Sequence, residues 1–223
     1  MFATTLPFTV TSLLALQLIQ TPEAASFPDD STQMAPVTIM STDGLRQGAL
    51  DQLAFGDEFE QRDAAEKLVM LDDGGFPDDR RGDFLRAIAP AAIVTARTHQ
   101  LPPSVTLAQA ILESGWGRSS LARTNHNLFG IKARTGYARF DTWGDGIEHH
   151  GALLASKRYA RAHRYWTDGP TFIRHIAPIY AEDPLYAPRI RSLIRQYRLD
   201  RWDELVVAAV DKAATAPEPL AQR

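Results

Sequence analysis

A single acid, Glu113, closes the apolar run "LAQAIL" (107–112) and is followed at once by "SGWG" (114–117). A carboxylate in the last turn of a helix sits beside unpaired carbonyls and the negative end of the helix dipole. Both disfavour its ionised form. An indole at Trp116 adds desolvation, which raises a carboxyl pKa further. A carboxyl that keeps its proton near neutrality suits general-acid work, such as protonating the leaving oxygen of a glycosidic bond as an oxocarbenium-like state develops. The plainer alternative is a surface glutamate next to a core tryptophan, and these residues alone leave both readings open.

Elements on either side must position that acid. "QLPPS" (100–104) punctuates the chain, and a helix is predicted from Pro103 or Ser104, with Val105, Ala108, Ile111 and Leu112 as its apolar stripe and Gly115 and Gly117 as its stop. Upstream, Asp83 is the expected N-cap of "FLRAIAPAAIVTARTH" (84–99), with Leu85, Ile88 and Ala92 on one face and Pro90 kinking or restarting the helix. Downstream, "NLFGIKA" (127–133) and "TGYARFDTW" (135–143) alternate in the β manner about a glycine turn and read as a small β-hairpin. Helices are predicted over 145–160, over 171–181, after Asp183-Pro184 as a cap and first-residue pair, and over 202–214. The expected class is mainly α (α+β).

Of 223 residues, 44% are hydrophobic and 23% charged, ordinary globular proportions for one domain with flanking segments. The absence of cysteine excludes disulfides and thiolate metal sites. Residues 1–82 carry 14 Asp/Glu against 5 Lys/Arg, whereas 83–223 carry 13 against 19. An acidic arm over 1–82, largely flexible with one or two helical pieces near 49–71, is therefore expected ahead of a basic domain over 83–214, with a disordered tail over 215–223. A basic domain fits a polyanionic partner, and a difference in solubility explains the asymmetry as well. The apolar stretch "LPFTVTSLLALQLI" (6–19) is shorter than a membrane-spanning helix. Read as a signal-peptide core, with "EAAS" (23–26) as the cleavage region, it lacks a basic n-region; a short amphipathic or disordered leader is the alternative.

Three ordered motifs carry a resemblance. "LPPSVTLAQAILESGWGRSSLARTNHNLFGIKA" (101–133), "FDTWGDGIEHHGALL" (140–154) and "YAEDPLYAPRI" (180–190) together resemble the bacterial glucosaminidase family, the peptidoglycan-cleaving domain of autolysins and of the flagellar rod-cap hydrolase. The resemblance covers 83–200 and leaves 1–82 untouched. It implies a lysozyme-like fold with a glycan groove, endo-β-N-acetylglucosaminidase activity on the bond following N-acetylglucosamine, and Glu113 as the essential catalytic glutamate. It implies substrate contacts from Trp116, Asn127, Phe129, Tyr180 and Tyr186, with a functional tyrosine in the 180–186 segment. A muramidase or lytic transglycosylase on the same fold is the enzymatic alternative, and a wall-binding module the non-enzymatic one.

The family's second glutamate falls on Asp145, a shorter acid, with Glu148 one helical turn on and Asp141 a weaker candidate. Thr142 to Asp145 also has the spacing of a capping box, and assistance by the substrate's own acetamido group is the remaining option. Glu148, His149 and His150 are adjacent in sequence and so point apart on a helix, and no His-Glu-x-x-His is present, so neither a metal nor another cofactor is expected. "KRYARAHRYW" (157–166) mixes bases with aromatics, but no nucleic-acid motif accompanies it and no nucleic-acid partner is expected. The expected partners are peptidoglycan glycan strands and, through the acidic arm, a secretion or envelope-assembly component. The expected state is an exported monomer, periplasmic or secreted.

Overall fold

The structure, a computed structural model, describes residues 41–72 and 75–215. The leader at 6–19 and the tail beyond Thr215 lie outside the described residues. Ten α-helices follow in order: α1 (Thr42–Phe55), α2 (Glu58–Leu71), α3 (Arg80–His99), α4 (Pro103–Ser114), α5 (Ser120–Asn125), α6 (Trp143–Leu154), α7 (Ala160–His163), α8 (Gly169–Tyr180), α9 (Tyr186–Gln196) and α10 (Arg201–Thr215). Among these residues no helix is long and apolar enough to cross a membrane.

The centre of the core is α4. Every residue from Pro103 to Ile111 is buried, and α3, α8, α9 and α10 pack around it. Its N-terminus has no capping side chain of its own, because Pro102 stands at the cap. Asp203 of α10 supplies the cap instead: its carboxylate accepts from the Ser104 backbone N–H at 2.8 Å and from the Ser104 hydroxyl at 2.6 Å. Asp203 is itself buried, and burial pushes its pKa up to about 7 against the opposing pull of the two Ser104 bonds.

The expected boundary at residue 83 does not hold. Helices α1 and α2 belong to the same compact unit as α3–α10. Leu53, Leu68 and Val69 are buried in the common core together with Ala49, Ala54, Ala64 and Ala65. The stripe these residues form is made largely of alanine, which contrasts weakly with polar neighbours in sequence yet lets α1 and α2 pack closely. Capping is orderly here too, with a reciprocal box between Asp57 and Glu60 at the start of α2. Arg201 of α10 reaches Asp72 at 2.6 Å and fastens the end of α2.

The expected hairpin is also corrected. Among the described residues there is no strand, only an isolated antiparallel bridge between Lys132 and Tyr137. Asn127 explains why. Its side-chain amide donates to the carbonyls of Ile131 (2.9 Å) and Ala138 (3.0 Å), and its Oδ1 accepts from the Ile131 N–H (3.0 Å). The Ala138 N–H still reaches the Ile131 carbonyl across the turn (2.8 Å), but the Ile131 N–H and the Ala138 carbonyl, which would complete that pair, go to this one side chain. Smaller shifts follow capping chemistry. α3 starts at Asp79, whose carboxylate accepts from the N–H groups of Arg81 and Gly82, rather than at Asp83, and it runs through Pro90 unbroken.

Candidate active site

The turn after α4 is dictated by three residues. Gly115, Trp116 and Gly117 all adopt left-handed backbone angles, with φ of 57°, 65° and 70°. Glycine takes that region freely, whereas a tryptophan there is strained by about 1–2 kcal/mol. Gly117 is further constrained, since a Cβ would come within 2.8 Å of the Phe84 ring. The buried Ser114 hydroxyl donates to the Ala110 carbonyl (2.5 Å) and accepts from the Gly117 N–H (2.7 Å), closing the turn. Trp116 follows in this turn and packs edge-on to Phe84 (6.1 Å) and to Tyr197 (5.0 Å).

Glu113 stands at the helix end with solvent access, and a tyrosine hydroxyl bonds its carboxylate. The Tyr186 hydroxyl donates to Glu113 Oε1 at 2.7 Å and accepts from the Gln109 side-chain amide at 3.0 Å. Desolvation pushes the Glu113 pKa up, and the Tyr186 hydrogen bond partly opposes it. Burial raises the Tyr186 phenol pKa, so the hydroxyl stays a donor. The Tyr180 ring stacks on Tyr186 at 5.5 Å, and its hydroxyl lies 3.3 Å from His150 Nε2. The start of α9, the end of α8 and the end of α4 thus meet around one carboxyl whose pKa desolvation raises and whose orientation the Tyr186 hydroxyl fixes. Such a group can deliver a proton to a leaving oxygen at the open side of the site.

The remaining candidates are distributed differently. Asp145 does not join Glu113. Its Oδ2 accepts from the Thr142 N–H (2.9 Å) and the Thr142 hydroxyl (2.8 Å), a complete capping box for α6. It faces a groove between α2, α3 and α6 whose walls include Glu148 but not Glu113. Glu148 accepts from the Thr95 hydroxyl (2.8 Å) and pairs with His99 (2.6 Å), tying α6 to α3. Asn127 and Phe129, the other expected substrate contacts, have buried side chains. Asn127 organises its loop, and Phe129 stacks on His150 at 3.8 Å. Trp116 lines a separate cleft of about 810 Å³, with Arg80, Arg118 and Trp143, that does not reach Glu113.

Two members of the cluster escaped sequence reasoning. Gln109 is the one amide inside the apolar run of α4, and it is fully buried. His150 lies on the buried face of α6 with Ile147 and Leu154, a face its helical spacing gives away.

Residues 89–199 match the family model described as mannosyl-glycoprotein endo-beta-N-acetylglucosaminidase. The exo-glucosaminidase LytG of Bacillus subtilis is 26% identical over 157 residues, which cover 57% of this chain and 55% of LytG. The peptidoglycan hydrolase FlgJ of Salmonella typhimurium is 25% identical over 219 residues, covering 83% of this chain and 66% of FlgJ. Among solved structures, the catalytic domain of the Listeria monocytogenes autolysin Auto superposes with a TM-score of 0.52 at 25% identity, covering 66% of this chain and 97% of that domain. The chain spans about half or less of the length of the first curated relatives it matches. Over residues 89–199 the chain belongs to the glucosaminidase family.

Proposed function

We propose that this protein is a peptidoglycan hydrolase cleaving the β-1,4 bond that follows N-acetylglucosamine, with Glu113 as general acid. The observation that carries the reading is the Glu113 carboxyl itself: solvent-reachable, raised in pKa, and oriented by the Tyr186 hydroxyl at 2.7 Å. The protonated carboxyl donates to the glycosidic oxygen as the C1–O bond breaks, and the leaving sugar departs as an alcohol. Asp145 is committed to a cap, so the developing cation at C1 is met by the carbonyl oxygen of the substrate's own 2-acetamido group, one of the recognised departures from two-carboxylate chemistry. Water then adds at C1, returning its proton to the Glu113 carboxylate. Tyr186 keeps that carboxylate in place through both steps.

The family description and the name of LytG support glucosaminidase specificity. Relatives from Lactococcus lactis are named probable N-acetylmuramidases, which makes the neighbouring bond of the same polymer the second reading. The proposed lysozyme-like groove, export to the cell wall and monomeric state accompany the main reading. The test digests purified sacculi, reduces the products with borohydride and identifies the new ends by mass spectrometry. Reduced N-acetylglucosamine ends are expected. Reduced or anhydro-muramic acid ends would overturn the bond assignment. Glu113→Gln should lower turnover roughly a hundredfold or more with an unchanged melting curve.

A further inference from the structure

Helix α6 contributes a residue to the neighbourhood of Glu113 without touching it. His150 is 0% exposed. Its ring stacks on Phe129 with planes 10° apart, and its Nε2 meets the Tyr180 hydroxyl at 3.3 Å. Tyr180 is the last residue of α8, and its ring packs against the core with its hydroxyl turned to His150. From there the contacts run without a gap: Tyr180 stacks on Tyr186, and Tyr186 is bonded to both Gln109 and Glu113.

The other ring nitrogen is what makes the position informative. His150 Nδ1 is buried and has no hydrogen-bond partner among the described residues. A buried polar atom left unpaired costs about 1–3 kcal/mol, and a phenyl ring would stack on Phe129 without that penalty. Packing alone therefore disfavours histidine at this point of the core. Burial, with a smaller contribution from neighbouring His149, pushes its pKa down to about 3, so the ring is neutral and acts through hydrogen bonding rather than charge. What histidine supplies, and an apolar ring does not, is Nε2 on the Tyr180 hydroxyl.

We infer that His150 is a positioning residue: by anchoring Tyr180 it holds Tyr186, and through Tyr186 the Glu113 carboxyl, in the orientation used for proton transfer. The inference rests on the proposed role of Glu113. It also assigns work to two otherwise separate motifs, because Phe129 of the 127–130 loop becomes the platform on which the His150 ring lies flat. His150, Gln109 and Tyr186 are buried and Tyr180 is half-buried, so loss of the chain should slow chemistry while leaving glycan binding alone.

The experiment measures kcat and KM on solubilised glycan strands, with melting temperature, for the full chain and four variants. His150→Phe keeps the stacking and removes the nitrogen. Its kcat is expected to fall at least tenfold, with KM within twofold of wild type and no loss in melting temperature. His150→Gln returns a polar group near the Nε2 position and should recover most of the lost kcat. Tyr180→Phe removes the same hydrogen bond from the other side, and its kcat loss should match that of His150→Phe. It serves as the direct reading of the bond if His150→Phe does not fold. Glu113→Gln is the reference. If Glu113→Gln is inactive while His150→Phe and Tyr180→Phe both keep wild-type kcat, the positioning role is overturned and the general acid stands. Failure of His150→Gln to rescue a well-folded His150→Phe likewise overturns it. If Glu113→Gln stays active, the proposed mechanism fails first and takes the positioning role with it.

Discussion

Replacing Asp203 with asparagine should flatten the pH dependence of stability. The carboxylate is buried under the N-terminus of α4, and burial raises its pKa to about 7, with Asp200 and Asp168 adding to the effect. In the unfolded chain the same group titrates near ~3.9. Below pH ~4 it is protonated in both states, and its contribution to stability is greatest. Between ~4 and ~7 the unfolded chain has released the proton and the native state still holds it, so stability falls as pH rises. Above the folded pKa both states are ionised and the contribution is gone. Three units correspond to about 4 kcal/mol, an upper bound because the positive end of the α4 dipole favours the carboxylate. Asparagine keeps the cap, since its Oδ1 can accept from the Ser104 N–H while its amide donates to the Ser104 hydroxyl. Urea unfolding at half-unit intervals from pH 4 to 8 measures the effect. The wild-type curve should fall relative to Asp203→Asn by up to about 1.4 kcal/mol per pH unit inside the window, with the variant the more stable at pH 8. Asp203→Ala, which strands the Ser104 donor, should lose about 1–3 kcal/mol throughout. Parallel wild-type and Asp203→Asn curves would refute the reasoning, because they would mean the helix terminus holds Asp203 ionised despite its burial.

Other outcomes follow from the packing and from the turn. A fragment of 83–223, lacking α1 and α2, should lose its cooperative melt, and Leu53→Ala in the full chain should cost about 2–5 kcal/mol, both read by thermal or denaturant unfolding. Gly117→Ala combines a left-handed φ with a Cβ against Phe84, so calorimetry should show destabilisation of about 1–3 kcal/mol. Asp145→Asn, which alters the cap of α6 in a groove that Glu113 does not line, should keep turnover within about threefold of wild type; a loss approaching that of Glu113→Gln would restore it as the second acid. Glu148→Gln should also keep turnover while weakening the tie to Thr95 and His99, seen as a lower melting temperature.

The part of the site that local chemistry specifies was legible in the sequence. A strong apolar period followed by Glu-Ser-Gly-Trp-Gly announces a helix, its acid and its stop, because stripe, cap and left-handed turn are all decided within a few residues. Ser104, Glu113 and Gly117 stand where that pattern puts them. The alternation over 127–143 misled for a physical reason. A strand pair needs both backbone groups of each opposed residue, and the buried Asn127 side chain takes the Ile131 N–H and the Ala138 carbonyl. The acidic segment before residue 83 misled in a different way, since alanine-lined faces show little contrast until two helices are brought together.

By itself, then, the sequence determined the helical class, the catalytic candidate and the family motifs, all properties of short segments. Tertiary structure alone decided which side chains share an environment. It set Trp116 against Phe84 and Tyr197, and put Tyr186 on the carboxyl from 73 positions downstream. It used Asp145 as a cap, and set a neutral histidine behind the tyrosines with one nitrogen unpaired among the described residues. Desolvation and hydrogen-bond partners come from residues far apart along the chain, and a linear pattern carries no record of the distances between them.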